Sequence, residues 1–480
     1  MKRLVKISIF IFSFFVFWLV AKVEIKADTF EWWNYNYTHM NDFIDNIGKI
    51  SKEEIVVAVI DSGFDANHSW FEGRFVGGAT CDYSSCIDGG YHIESTDVLN
   101  YTYDSHGTHV AGIIAKGTTK NVKILPIMVL PETIPQIPLL KVGPQLNLKV
   151  VIDYIIQKKN EGLNIKAINF SLGLYNKKNV VDEIYIENYV KTPIKKAYDA
   201  GILFVAGAGN DFGDANYALS GYAPETILVG AYNILGQQSY YSNTGERIDF
   251  MAPGTDIVSA ALGTKYGVIS YPGTSMAAPH ITAKIALMYS MCPNCSMETI
   301  KQTMVDASVE MGINANCLPY VNAIDPPEGV ETPTNNGTWY EYGSSCGHGW
   351  IDMNKAYDIL KEITFRDIKV ISRGKGTVTL GNNFNFANDA LLFEPDTYAT
   401  LYSKFLRPDK RNTYAPIGGD MAFSLHYSRA KKLKWIKIKI GKKVKKKITG
   451  KELEEIISKR YYVLENITED ITIEFKFKIF

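Results

Sequence analysis

Five short apolar runs alternate with helix-like stretches between Ile55 and about residue 362. The runs are EIVVAVID (54–61), NVKILPIMVL (121–130), IKAINFSL (165–172), GILFVAGAG (201–209) and TILVGAYN (226–233). Continuous apolar runs are typical of strands that are buried on both faces, and strands that alternate with helices form parallel sheets. The sequence therefore predicts an α/β fold, in which a parallel sheet carries helices on both faces.

Three polar residues fall at the carboxyl ends of the predicted strands, where sheets of this class bind ligands. Asp61 ends its strand, Ser171 nearly ends another, and Asn210 follows a third. Taken alone, Asp61 is better explained as a turn residue. A functional role for Asp61 requires partner groups from other parts of the chain.

Two further motifs supply groups that hydrolytic chemistry needs. HGTHVAGIIA places His106 where a helix is expected to begin, and GTSMAAPHITAKIALMYS places Ser275 at the start of another. Gly273 permits a sharp turn before that helix. Nucleophilic hydrolysis takes a hydroxyl, a base that removes its proton and a group that orients the base. Ser275, His106 and Asp61 can supply these three.

The order Asp, His, Ser with these flanking residues closely resembles the subtilisin-like serine proteases, over about residues 32–360. GAGNDFGD and MAPGTDIVSA strengthen the resemblance. It implies a serine endopeptidase that cleaves polypeptides through an acyl-enzyme intermediate. His106 would be the general base, Asp61 would orient it and Ser275 would be the nucleophile.

The resemblance also implies groups that contact the substrate. Asn210 would donate its side-chain amide to the developing oxyanion, beside the backbone N–H of Ser275. An extended substrate would pair with Ser171, Leu172 and Gly173. The wall of the primary specificity pocket would be formed by Gly207, Ala208 and Gly209. These small residues favour a large or apolar side chain before the cleaved bond, whereas Asp211 and Asp214 would favour a basic one.

Other kinds of chemistry fit less well. HGTH lacks the glutamate of the HExxH zinc proteases, and GTSMA is not the GxSxG of α/β-hydrolases. His109 and His280 are interpreted as packed structural residues. A different function class is a surface-binding protein whose protease-like domain is inactive. The presence of all four residues of the predicted site argues against it.

The first 27 residues predict an export signal. Lys2, Arg3 and Lys6 precede an uncharged run of 15 residues, and IKA offers cleavage after Ala27. An uncleaved anchor is the weaker alternative, because a membrane span takes about 20 residues. The protein is expected to be secreted or to lie at the cell surface. With no recognisable folding propeptide before the first strand, the mature chain is expected to begin near Asp28.

Export favours disulfides among the six cysteines. Cys81 and Cys86 would close a small loop. The other four, Cys292, Cys295, Cys317 and Cys346, are expected to tie an insertion at about 296–346 back to the helix before it, with the pairing undecided. A four-cysteine zinc site is the alternative. The chemistry is expected to require no cofactor. Structural calcium is possible but not indicated, because HVAGIIAKGTTKNVKI leaves little room for a calcium loop after the histidine helix.

The predicted peptidase domain spans 28–362, and residues 365–480 are predicted to form a separate, basic, β-rich module. Within it, the run from Arg429 to Lys447 carries 11 Lys or Arg and no acids. These lysines either lie on the solvent-exposed face of a strand, where they also keep a sheet edge from pairing with other chains, or bind an anionic surface or polymer. The whole chain has 51 basic and 51 acidic residues. Nucleic acid is therefore not expected as a partner of this exported chain.

Overall fold

The computed structural model describes residues 32–47, 53–92, 101–129, 147–172, 183–311 and 346–373 and, with short gaps between its strands, 377–477. The predicted export signal, Gly173 and Cys317 lie outside the described residues. The chain divides into two compact units, Met1–Asn354 and Lys355–Phe480. The sequence placed the boundary at 362–365, which is the other end of the helix Met353–Thr364.

The first unit contains an eight-stranded sheet in the order β3-β2-β4-β1-β5-β6-β7-β8. Its strands are β1 (Ile55–Asp61), β2 (Ala79–Cys81), β3 (Cys86–Asp88), β4 (Val122–Val129), β5 (Ile165–Phe170), β6 (Leu203–Gly207), β7 (Thr226–Tyr232) and β8 (Phe250–Pro253). Neighbouring strands pair in parallel except β2 with β3. Five of the strands coincide with the predicted runs, and every residue of β1, β6 and β7 is buried. The predicted α/β fold is confirmed.

Helices cover both faces of this sheet. The helices of the first unit are α1 (Trp33–Tyr37), α2 (Met40–Ile47), α3 (Tyr101–Lys116), α4 (Leu148–Asn160), α5 (Glu183–Ile186), α6 (Thr192–Asp199), α7 (Thr274–Met291) and α8 (Met297–Asp306). A further helix, α9 (Met353–Thr364), contains the boundary between the two units. In the sheet, β4 lies on one side of β1, whereas β5 and β6 lie on the other side. The chain thus moves along the sheet in one direction between β1 and β4 and in the opposite direction between β4 and β6. Right-handed crossovers therefore place α3 on one face and α4 and α6 on the opposite face.

Helix α7 lies in the core of the first unit. It packs against α3 and against β5, β6 and β7, and Ser275 is the one residue among its 18 that is not buried. Two short antiparallel strand pairs accompany the main sheet, β9 (Ile257–Ala260) with β10 (Val268–Tyr271) and β11 (Ser308–Val309) with β12 (Trp350–Ile351). A helix buried on all sides holds its ends in fixed places, so the position of Ser275 in its first turn is fixed as well.

The second unit is rich in β-strands, as predicted. A five-stranded sheet has the order β18-β13-β23-β20-β21, and a four-stranded sheet has the order β17-β14-β19-β22. The strands are β13 (Phe365–Arg373), β14 (Thr377–Gly381), β15 (Phe384–Ala387), β16 (Ala390–Phe393), β17 (Ala399–Tyr402), β18 (Asp409–Pro416), β19 (Gly419–Leu425), β20 (Leu433–Ile440), β21 (Lys443–Ile448), β22 (Tyr461–Ile467) and β23 (Ile471–Phe477), with one helix, α10 (Gly450–Lys459). Among the described residues of the whole chain, no helix has the length and apolar character that a membrane span requires.

Candidate active site

Asp61 is the last residue of β1 and is fully buried. Its Oδ1 accepts a hydrogen bond from the backbone N–H of Ser62 at 2.8 Å and lies 2.7 Å from Nδ1 of His106. The close approach of α3 to the end of β1 depends on Gly107. A Cβ at that position would collide with the carbonyl oxygen of Gly63 and would lie 3.1 Å from Cβ of Asp61. The strand end and the glycine together bring the carboxylate to the imidazole.

His106 lies within α3 and not at its start, because the helix already begins at Tyr101. The sequence prediction was wrong on this point, since HGTHVAG suggests a helix that begins with the motif. The His106 side chain is 25% exposed, whereas Asp61 is not exposed at all. Burial lowers the pKa of His106, but the charge of Asp61 and its hydrogen bond outweigh this effect and raise the pKa above its usual 6.5. Asp61 thus holds Nδ1–H, which leaves Nε2 as the basic nitrogen.

Ser275 and Ser171 are joined by two reciprocal hydrogen bonds. The Ser275 hydroxyl donates to the carbonyl of Ser171 at 2.9 Å, and the Ser171 hydroxyl donates to the carbonyl of Ser275 at 2.8 Å. The second bond has a cause in the sequence, because Pro279 has no N–H to donate to the carbonyl four residues before it. The Ser171 hydroxyl is held in turn by Nδ2 of Asn169, at 2.9 Å. Ser171 was predicted as a substrate contact; in the structure its side chain supplies the donor that the first turn of α7 lacks.

Asn210 is exposed and is oriented by Thr274, the first residue of α7. Its Oδ1 accepts from the backbone N–H of Thr274 at 2.8 Å and from the Thr274 hydroxyl at 3.0 Å. The acceptor side of the amide is therefore occupied, and Nδ2 points elsewhere. A Cβ built on Gly273 would lie 3.6 Å from Nδ2 of Asn210 and 3.6 Å from the Ser275 nitrogen. Both predicted oxyanion donors thus border the same small space beside Gly273.

Thr274 is a residue of the candidate site that the sequence interpretation missed. Besides Asn210 it contacts the predicted pocket wall, since the N–H of Gly209 donates to its hydroxyl at 3.1 Å. A Cβ on Gly207 would lie 3.0 Å from the Thr274 carbonyl oxygen. The small size of Gly207 is thus explained by close packing against α7 as well as by room for a substrate. Leu172 and Ala208 are buried, and Gly173 lies outside the described residues.

His109 and His280 lie in the core, as the sequence predicted. Nε2 of His109 donates to the carbonyl oxygens of Ile257 and Ile269, at 3.0 and 3.1 Å, and so joins β9 to β10. Burial lowers the pKa of His109 to about 4 and that of His280 to about 3. Both imidazoles are neutral near pH 7 and have a structural role. Of the three histidines on α3 and α7, His106 is the one that is partly exposed and contacts a carboxylate.

Two disulfides join cysteines that are neighbours in sequence. Cys81 pairs with Cys86, as predicted, and Cys292 pairs with Cys295. The prediction that Cys292 and Cys295 tie the insertion back, and the alternative of a zinc site containing them, are therefore wrong. The turn between α7 and α8 brings their Cα atoms within 5.4 Å, a usual distance for a disulfide. Cys346 is also disulfide-bonded, and Cys317 lies outside the described residues.

A buried guanidinium lies at the carboxyl end of α3, where the calcium loop of the predicted family would follow. Arg74 donates to the carbonyl oxygens of Ala115 and Thr119, at 2.8 and 2.6 Å, and to the hydroxyl of Thr118 at 2.5 Å. Calcium binds through oxygens of this kind. Because these oxygens already accept from a cationic side chain, they do not fit a calcium ion at this helix end.

Comparison with known proteins shows which family the chain resembles. A model of the subtilase family (Peptidase_S8) matches residues 52–345. The subtilase-type proteinase isp6 of Schizosaccharomyces pombe is 30% identical over 304 residues, and subtilisin E of Bacillus subtilis is 31% identical over 269 residues. These alignments cover 62% and 54% of this chain but only 58% and 61% of the two relatives. The solved structure of the prenylagaramide maturation protease PagA aligns over 67% of this chain and 98% of its own, with 20% identity and a TM-score of 0.45. The family model covers well over half of the 480 residues, and the chain belongs to the subtilase family.

Proposed function

We propose that this protein is a secreted serine endopeptidase that cleaves polypeptides through an acyl-enzyme intermediate. The observation that carries the proposal is the 2.7 Å contact between Nδ1 of His106 and the buried Asp61 carboxylate. This contact leaves Nε2 free to act as a base. Ser275 supplies the hydroxyl, and its own N–H and the amide of Asn210 border one space. Similarity to subtilisin E and to other subtilases supports the same reaction.

The reaction would begin when the Ser275 hydroxyl turns from the Ser171 carbonyl toward Nε2 of His106. His106 then removes the hydroxyl proton as the Ser275 oxygen bonds to the carbonyl carbon of the scissile peptide. The electron pair of the C=O bond moves onto the carbonyl oxygen, where the amide of Asn210 and the Ser275 N–H stabilise it. The imidazolium, paired with Asp61, next protonates the leaving amine as the C–N bond breaks. Water deprotonated by His106 then hydrolyses the acyl-enzyme in the same way.

The competing proposal is a surface-binding protein with an inactive protease-like domain. A binding protein of this kind would not need a basic His106. Asp61 is nevertheless fully buried, and it accepts hydrogen bonds from the Ser62 N–H and from the His106 imidazole. Burial of a carboxylate is costly unless its partners compensate. An arrangement of this kind favours an enzyme. We propose further that the chemistry needs no metal, since Asp61, His106 and Ser275 provide the base and the nucleophile.

Reaction with a fluorophosphonate distinguishes the two functions. Only an activated serine hydroxyl displaces fluoride and becomes phosphonylated, so one adduct per chain is expected, on the peptide that contains Ser275. The Ser275→Ala variant should give no adduct. A matched control is Ser290→Ala on the same helix, where a buried hydroxyl donates to the carbonyl of Ala286 at 2.9 Å. That variant should label like the wild type. Equal labelling of wild type and Ser275→Ala would leave the inactive binding protein as the better proposal.

For the second unit we propose binding to an anionic surface or polymer through the hairpin of β20 and β21. Strand β21 is at the edge of its sheet, and its lysines are all exposed: Lys443, Lys445, Lys446 and Lys447. Lys446 pairs with Glu452, and on β20 Lys439 pairs with Glu474. In the described part of the chain, Lys443, Lys445 and Lys447 have no acidic partner. An edge strand with uncompensated charge suits both the protection of the edge and electrostatic adhesion.

A charge reversal separates these two roles of the hairpin. The variant with Lys443, Lys445 and Lys447 changed to Glu should lose binding to phosphatidylserine vesicles. A variant with the same change in net charge at the exposed lysines of the first unit, Lys120, Lys149 and Lys265, should keep it. Wild-type binding should weaken between about 0.1 and 1 M salt, because the screening length falls from about 10 to about 3 Å. Co-sedimentation with the vesicles measures each case. Equal loss in both triple variants would show a net-charge effect and remove the hairpin as a binding surface.

A further inference from the structure

Asn243 is a fully buried asparagine that the proposed mechanism does not use. It lies in the segment Tyr241–Thr244, which follows β7 and runs beside the loop 208–215. Four backbone hydrogen bonds join the two segments: Phe212 N–H to Tyr241 O at 3.0 Å, Asn243 N–H to Gly209 O at 3.0 Å, Thr244 N–H to Gly213 O at 3.0 Å, and Ala215 N–H to Thr244 O at 2.7 Å. The loop that carries Asn210 is thus supported along its length by a second segment.

The side chain of Asn243 adds three more bonds to the same loop. Its Oδ1 accepts from the N–H of Asp211 at 3.0 Å and of Gly213 at 2.8 Å, and its Nδ2 donates to the carbonyl of Ala208 at 2.9 Å. One amide therefore satisfies backbone groups on both sides of Asn210. Gly209 leaves room for it, because with φ at 100° a Cβ there would lie only 2.5 Å from Nδ2 of Asn243.

The residues that flank Asn210 are consequently held on both sides. Gly209 donates to the Thr274 hydroxyl and accepts from the Asn243 N–H, while Asp211 donates to Oδ1 of Asn243. Asn210 itself is exposed, and in the part of the chain that the structure describes the bonds to its Oδ1 come from Thr274. An exposed side chain stays in one place only if its backbone is fixed, and donors to an oxyanion must be fixed before charge develops.

We propose that Asn243 is a positioning residue that holds Asn210 as an oxyanion donor. This inference rests on the proposed protease function. Asn243 does not touch the reacting atoms, so its effect must pass through Asn210. Loss of its three bonds should leave substrate binding nearly intact and weaken stabilisation of the transition state.

The experiment is a double-mutant cycle between Asn243→Ala and Asn210→Ala, with active enzyme counted by complete fluorophosphonate titration. Asn243→Ala should lower kcat by about 10- to 100-fold with little change in KM, because misplacement by about 1 Å can cost about 100-fold. In the Asn210→Ala background the same change should lower kcat by less than about 3-fold, since the group that it positions is gone. Asn243→Ser, which leaves a smaller cavity, gives the same comparison if the alanine variant does not fold.

Asn121→Ala is the control at the amino ends of the strands, opposite the end at which Asn210 lies. Asn121 precedes β4, and its amide donates to the Glu53 carbonyl at 2.9 Å and accepts from the Thr119 hydroxyl. This variant should lose thermal stability and keep its kcat. A kcat loss from Asn243→Ala that is as large in the Asn210→Ala background as in the wild type would overturn the positioning role, and so would no loss at all. Absence of peptide cleavage by the wild type would instead refute the proposed function.

Discussion

Replacement of Ser275 by alanine is expected to lower kcat for peptide cleavage by about a million-fold. In a subtilisin, loss of the serine or of the histidine alone costs about 2 × 10⁶, nearly as much as loss of the whole triad. The cause is that serine, histidine and aspartate act together: the proton of the serine hydroxyl must be removed while its oxygen bonds to the substrate, so loss of one group disables the other two. Stability should change little, because the Ser275 side chain makes one hydrogen bond, to Ser171, worth about 1 kcal/mol. Steady-state kinetics with a peptide substrate and thermal unfolding of the same sample test both parts.

The companion variants make this prediction specific. His106→Ala should cost about as much as Ser275→Ala, and the double variant should be no slower than either alone. A double variant that loses a further factor comparable to the first would show that the two residues act independently. In that case the assignment of nucleophile and base to this pair would be wrong.

Asp61→Asn is expected to lower kcat by about 10⁴-fold and to change the pH profile as well. The amide no longer enforces the tautomer with the proton on Nδ1, which costs about 10⁴ in the serine proteases. The sign of the pH effect follows from the pKa of His106. Asp61 raises that pKa, so the neutral base of the wild type is lost as pH falls through a value above 6.5. In the variant only the burial effect remains, and it lowers the pKa, so the acid limb of kcat/KM should move to lower pH.

Asp65→Asn provides the control for this pH shift. Asp65 is also buried, but its carboxylate accepts from the backbone N–H groups of Asn67 and Gly263 and does not contact His106. Its replacement should reduce stability and leave the acid limb in place. A pH–rate profile that is the same for Asp61→Asn and the wild type would mean that Asp61 does not set the charge state of His106.

The sequence predicted the parts of this structure that depend on strong local patterns. The apolar runs predicted the central strands, and the motifs around Asp61 and His106 drew attention to two residues that the fold brings to within 2.7 Å of each other. The start of α3 was missed because Tyr101–Ser105 carries no helix signal as strong as the HGTHVAG motif that follows it. Thr274 and Asn243 were missed for another reason. Each acts on a loop that is distant in sequence, 64 and 35 positions from its partner, and no spacing rule covers such contacts.

The cysteines show a further limit of sequence reasoning. Counting them predicted disulfides, but the choice between local and long-range partners depends on the turn between α7 and α8. That turn contains only Pro293 and Asn294 between the two cysteines, and its backbone brings Cys292 and Cys295 into reach of each other. Turn geometry of this kind is a product of the two helices on either side, which are placed by the tertiary fold and not by local sequence.

The guanidinium of Arg74 has a consequence for how this protein responds to its surroundings. A metal ion that binds the folded state adds stability in proportion to the logarithm of its free concentration, so such a protein weakens as the ion is diluted or sequestered. At the end of α3 the positive charge is covalently part of the chain. This charge is present whatever the concentration of metal ions in the medium. The helix that carries His106 is therefore held, at this end, by a cation that neither dilution nor a chelator can remove.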